Sequence, residues 1–127
     1  MAYRYQKHYT REEARALLPQ IKLWLKRIAQ LRAQLETHEQ RLAALTDPGR
    51  DLGGEIVNNW LRTVADVKEA FSEFQKREIQ IKDLDRGLVD FPALRDGKEI
   101  FLCWEKDEED IEHWHDLDTG YAGREPL

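Results

Sequence analysis

From Ala14 onward the apolar positions return at alternating steps of three and four: Ala14, Leu17, Ile21, Trp24, Ile28, Leu31, Leu35, His38, Leu42 and Leu45. This is a heptad seam, and it predicts one long helix that packs lengthwise against another. Thr10 and Glu13 form a capping-box pair at its start, each satisfying a backbone N–H that the first helical turn leaves without a partner. Leu18 and Leu25 widen the apolar stripe near the start, so more than one neighbour is expected there. Pro19 lacks an N–H and crowds the carbonyl four residues back, which predicts a kink. His38 stands where the seam calls for an apolar side chain and reads as a polar break that sets register. A stop is expected in Thr46-Asp47-Pro48-Gly49, with Gly53-Gly54 closing the link. The same rhythm then resumes in Val57, Trp60, Val64, Val67, Phe71 and Phe74. A short link between two such helices predicts an antiparallel hairpin.

Beyond residue 80 the period changes from helical to alternating. Asp85-Arg86-Gly87 and Asp96-Gly97 are turn signals, the second of the type that closes two-residue hairpins. With Asp96-Gly97 as the loop, Arg95 pairs with Lys98, Phe91 faces Leu102 and Asp90 faces Cys103. One face then carries Val89, Phe91, Ala93, Ile100, Leu102 and Trp104, wholly apolar, and is expected to be covered. The other carries Asp90, Pro92, Leu94, Glu99, Phe101 and Cys103. Pro92 has no ladder donor, which suggests an edge strand. A third strand is expected from Ile111 to about His115. Its register is open: if Trp114 turns toward the apolar face, His113 and His115 join Asp90 and Cys103 on the mixed one. The fold class expected is α+β, a long antiparallel two-helix hairpin followed by a small three-stranded antiparallel sheet. It forms a single domain over residues 1–127, with the hairpin at 10–80 and the β module with its glycine-rich tail at 81–127.

Composition changes this picture in three ways. The 127 residues are 35% charged and contain one cysteine. That excludes an internal disulfide and makes the cytoplasm the expected address. No apolar run approaches the roughly 18 residues of a membrane span, and no signal-peptide pattern opens the chain. Charge is divided unevenly: residues 1–50 carry ten Lys/Arg against five Asp/Glu, and residues 51–127 ten against twenty. The acidic second part disfavours nucleic acid, and only the basic first helix keeps that idea open. Two helices alone bury one seam each, so a homo-oligomer, with a dimer favoured, is expected to cover the rest.

The chemistry gathers between Leu84 and Arg124. His113, His115 and Cys103, with Asp90, are ligand types suited to zinc or another divalent transition metal. The same groups could arm a cysteine nucleophile with a histidine base. Gly120 to Gly123 with Tyr121 and Arg124 is a candidate ligand site for a small anion; its bland alternative is a structural turn in which Arg124 pairs with an acid. The acidic run Glu105 to Asp110 could attract a hard cation, though such loops are usually solvated.

Several segments together resemble a bacterial family of unknown function, DUF2203. The resemblance covers nearly the whole chain. It is carried by Tyr9-Thr10-Arg11-Glu12-Glu13-Ala14 with Leu17-Leu18-Pro19, by Gly87-Leu88-Val89-Asp90-Phe91-Pro92, by Leu102-Cys103-Trp104 and Trp114-His115-Asp116, and by Gly120-Tyr121-Ala122-Gly123-Arg124. It implies that the motif-rich tail holds the site and supplies no reaction. The leading expectation is a non-enzymatic, self-associating interaction module. A ligand site on its β module (Asp90, Tyr121, Arg124) would meet a protein or small molecule, with no cofactor certain and a divalent transition metal such as zinc the one considered. The rival is a transition-metal-binding protein or metal-dependent enzyme built on His113, His115 and Cys103.

Overall fold

The computed structural model describes residues 2–44 and 54–127. Two helices, α1 (Arg11–Ala44) and α2 (Gly54–Gln75), precede five strands: β1 (Gln80–Asp83), β2 (Leu88–Arg95), β3 (Lys98–Glu105), β4 (His113–Asp116) and β5 (Glu125–Pro126). The fold is α+β, with a helical hairpin followed by an antiparallel sheet. At 34 residues α1 is about 51 Å long. Its capping box is reciprocal: Thr10 N–H donates to Glu13 Oε1 at 3.0 Å, and Glu13 N–H donates to Thr10 Oγ1 at 3.1 Å. The helix is continuous through Pro19, which is exposed. The expected helix stop at Thr46–Gly49, together with Leu45 and Gly53, lies outside the described residues. Among the described residues no helix is long and apolar enough to cross a membrane.

The chain separates into two compact units, one holding the residues up to Leu25 with Phe74–Leu127, the other the described part of Lys26–Glu73. In the first, Ala14, Leu18, Ile21 and Leu25 of α1 are buried, and with them Phe74 and Ile79. The deepest stripe on α1 thus passes through Leu18 and Leu25, while Leu17 and Trp24 are only half-buried. Trp24 meets Phe74 edge-on with ring centroids 5.6 Å apart and carries the Arg77 guanidinium on its face. In the second unit Ile28 and Leu31 are buried, while Leu35, His38 and Leu42 are half-buried.

The sheet is a five-stranded meander in the order β1-β2-β3-β4-β5, not the three strands expected. The two extra strands are short outer ones. β1 follows within five residues of the end of α2, and β5 is two residues long and contains Pro126. Neither is long enough to display an alternating pattern. The β2–β3 register is as read from the sequence, with Asp90 opposite Cys103, Phe91 opposite Leu102 and Arg95 opposite Lys98. Asp96 and Gly97 both have positive φ, 52° and 78°, which is the type I′ turn that such a register needs.

Pro92 does not mark an edge strand, because β1 lies outside β2. It is tolerated because the pairing with β1 ends at Asp90. Beyond that point the flank of β2 needs no second ladder donor, and the carbonyl of Pro92 accepts the N–H of Tyr9 at 2.7 Å. The third predicted strand starts at His113 rather than Ile111.

Candidate functional site

Register decides which groups meet. β4 pairs with β3 so that His113 faces Cys103, Trp114 faces Leu102 and His115 faces Phe101. Trp114 therefore lies on the apolar face, with the Arg95 guanidinium 4.5 Å from its ring centre. Both histidines fall on the mixed face with Asp90 and Cys103. At its centre that face is closed to solvent. Asp90 is 1% exposed, Cys103 0% and His115 2%.

The three buried polar groups converge. One ligand-type atom from each of Asp90, Cys103 and His115 lies within 4.8 Å of the others, the only such buried trio among the described residues. His115 donates through Nε2 to Asp90 Oδ2 at 2.9 Å and through Nδ1 to the backbone carbonyl of Asp116 at 2.7 Å. The Asp116 carbonyl can only accept, so Nδ1 carries a proton in this pairing. Burial pulls the His115 pKa down, but the hydrogen bonds to Asp90 and Asp116 outweigh that and the net shift is upward. The Cys103 thiol is pushed up to about 12 by burial and by the neighbouring Asp90 charge, against the opposing effect of Arg124. It is a neutral thiol at physiological pH, unlike the thiolate of a cysteine nucleophile. The second Asp90 oxygen, Oδ1, is buried without a hydrogen-bond partner.

An ion pair flanks the trio on the side of Cys103. Arg124 places Nη1 4.0 Å from Cys103 Sγ, while Nη1 and Nη2 grip Glu108 at 3.0 and 3.2 Å. Glu108 is fixed in turn, accepting the Glu105 N–H at 2.8 Å and giving its carbonyl to Trp104 Nε1 at 2.9 Å. His113 stands at the margin rather than in the cluster. Its Nδ1 is buried 3.2 Å from Glu108 Oε2, without the alignment of a hydrogen bond. Tyr121 carries the guanidiniums of Arg86 and Arg124, each 4.3 Å from its ring centre.

The other candidates make internal pairs. The carboxylate of Glu108 neutralises Arg124, and the N–H groups of Gly123 and Arg124 bond back to Gly120 and Tyr121. In the acidic run, Glu105 pairs with Arg86, Glu108 with Arg124, and Asp110 with Arg15 and Arg11. Three of its acids are thus engaged by arginines.

No sequence pattern foretold what closes the mixed face at the β2–β3 turn. Residues 3–9 are strapped over it. Tyr3 OH donates to the Gly97 carbonyl, the N–H groups of Arg4 and Tyr5 donate to the Glu99 carboxylate, and those of Gln6 and Lys7 donate to Glu78. His8 Nε2 lies 2.9 Å from Glu99. Tyr5 packs on Phe101 (5.6 Å), and Phe101 on His115 (5.5 Å). The one signal that could have pointed to the strap is Glu99, an acid at the turn end of a strand face that holds the buried Phe101 and Cys103.

The chain belongs to the DUF2203 family, described as an uncharacterized conserved protein family, whose profile matches residues 7–127. The match spans every segment that carries the resemblance. No curated protein and no solved structure matches the chain.

Proposed function

We propose that this chain is a non-enzymatic assembly module of the cytoplasm that pairs with a second copy through its helical hairpin. The observation that carries this reading is the face of α2 within the Lys26–Glu73 unit. There Ile56, Val57, Trp60, Val64, Val67 and Phe71 are only half-buried, Leu61 is 51% exposed, and Thr63 alone between Gly54 and Glu73 is buried. Trp60 Nε1 is enclosed without a partner. Such a stripe buries its apolar area when a second hairpin completes a four-helix arrangement, at about 25 cal/mol for each Å² removed from water.

The chemistry of the β module supports a non-catalytic reading. Its thiol is protonated and both nitrogens of its buried imidazole are committed, so neither is free to act as nucleophile or base. A free, buried cysteine suits a reducing compartment. Sedimentation equilibrium tests the proposal. The wild-type chain is expected at twice its 15.0 kDa mass, and a Leu61→Glu/Val64→Glu variant at the monomer mass with its helical circular dichroism retained. A wild-type monomer at the highest soluble concentration refutes it.

A further inference from the structure

We infer that Asp90, Cys103 and His115 form a site for one divalent transition metal ion of intermediate softness, zinc in the first place, held inside the sheet as a structural centre. This inference is independent of how the helices associate. Three observations carry it. The donor set is one carboxylate, one thiol and one imidazole, the types from which zinc sites are built. Their ligand atoms already lie within 4.8 Å of one another, against the about 3.6 Å between donors that metal–ligand bonds of about 2.0–2.3 Å require around a tetrahedral ion. Asp90 Oδ1 is the third observation, a carboxylate oxygen on a residue 1% exposed with no hydrogen-bond partner. Buried acceptors of this kind are rare, and each calls for an explanation.

The surroundings fit the same ion. The hydrogen bond from His115 Nδ1 to the Asp116 carbonyl fixes the ring so that Nε2 faces Asp90, which is the outer support that metal-bound histidines receive. Arg124 Nη1, 4.0 Å from Cys103 Sγ and anchored by Glu108, is placed to donate to a metal-bound sulfur. Charge is conserved on loading. A dipositive ion replaces the thiol proton of Cys103 and the proton between His115 Nε2 and Asp90 Oδ2, so the buried site carries no net charge before or after. Asp90 can offer both oxygens and complete four donors. Burial of all three residues leaves no solvent-facing coordination position, so the site is structural rather than catalytic.

The test uses the full chain, free of affinity tag and stripped with chelator, titrated with cobalt(II) and then challenged with zinc. One cobalt per chain is expected, with a thiolate-to-cobalt charge-transfer band that zinc abolishes. Cys103→Ser should lose that band and bind zinc at least about 100-fold more weakly, since even outer-shell changes cost about 10–100-fold. His113→Gln, outside the trio, should bind like the wild type. A folded wild-type chain that gives no thiolate band overturns the proposal. So does a band that survives Cys103→Ser, or a His113→Gln variant as impaired as His115→Gln. X-ray absorption on the zinc-loaded wild type covers the case in which variants fail to fold: one sulfur scatterer is expected, and a shell of nitrogen and oxygen alone refutes the assignment. Each readout is taken per chain, so a monomeric protein leaves this result intact.

Discussion

Asp90 and His115 are hydrogen-bonded with side chains 2% and 1% exposed, and a pair this deep is costly to break on one side. Asp90→Ala would leave His115 Nε2 buried without its partner, and a loss of about 3–5 kcal/mol in urea-unfolding free energy is expected. The same pair predicts how stability depends on pH. The folded pKa of His115 is raised above its unfolded value of about 6.5. Its contribution is therefore complete below about pH 6.5 and fades as pH rises through the higher folded value. Urea titrations of metal-free protein across pH 6 to 9 should show wild-type stability falling more steeply than that of His115→Gln; equal slopes would mean that His115 is not charged in the folded state. At Cys103, a thiol with a pKa of about 12 and no exposed surface should resist alkylation until the protein unfolds. Labelling with iodoacetamide, followed by mass, should reach completion only in denaturant.

The β2–β3 hairpin shows which elements local chemistry determines by itself. Asp96-Gly97 sets a register, and the register places Asp90 beside Cys103, so this part of the site is legible in the residues themselves. β4 is half legible: its two histidines have to share a face, but the loop of Lys106–Glu112 hides which one. β1 and β5 are not legible, because strands of four and two residues are defined by the neighbour they pair with rather than by their own pattern. The strap over Glu99 is hidden for a related reason, since backbone N–H groups leave no mark in a sequence. Turn chemistry can be tested by comparing two glycines. Both Gly87 and Gly97 have positive φ, 64° and 78°. A Cβ on Gly87 would lie 2.7 Å from Lys106 Cβ, whereas one on Gly97 would meet nothing within 4 Å. Gly97→Ala should cost about 1 kcal/mol from the backbone alone, and Gly87→Ala clearly more, about 2–3 kcal/mol. Equal urea midpoints for the two variants would contradict this packing.

At the scale of the molecule, the heptad rhythm foretells both helices but not the depth at which each position lies. Leu18 and Leu25 are more deeply buried than Leu17 and Trp24, because a helix that meets more than a partner helix buries a stripe wider than one seam. On α2 the reverse holds, with a well-formed apolar stripe left half-exposed. Self-association has a thermodynamic signature that does not depend on knowing the interface. When the folded chain pairs and the unfolded chain does not, dilution favours unfolding, so the thermal midpoint rises with protein concentration. Calorimetry over a hundredfold range of concentration should show that rise for the wild type. The Leu61→Glu/Val64→Glu variant should show a midpoint independent of concentration, because its unfolding no longer includes dissociation. A wild-type midpoint that stays fixed would mean that the hairpin is complete in one chain, and that the half-buried face of α2 is simply the cost of a two-helix element with a single seam.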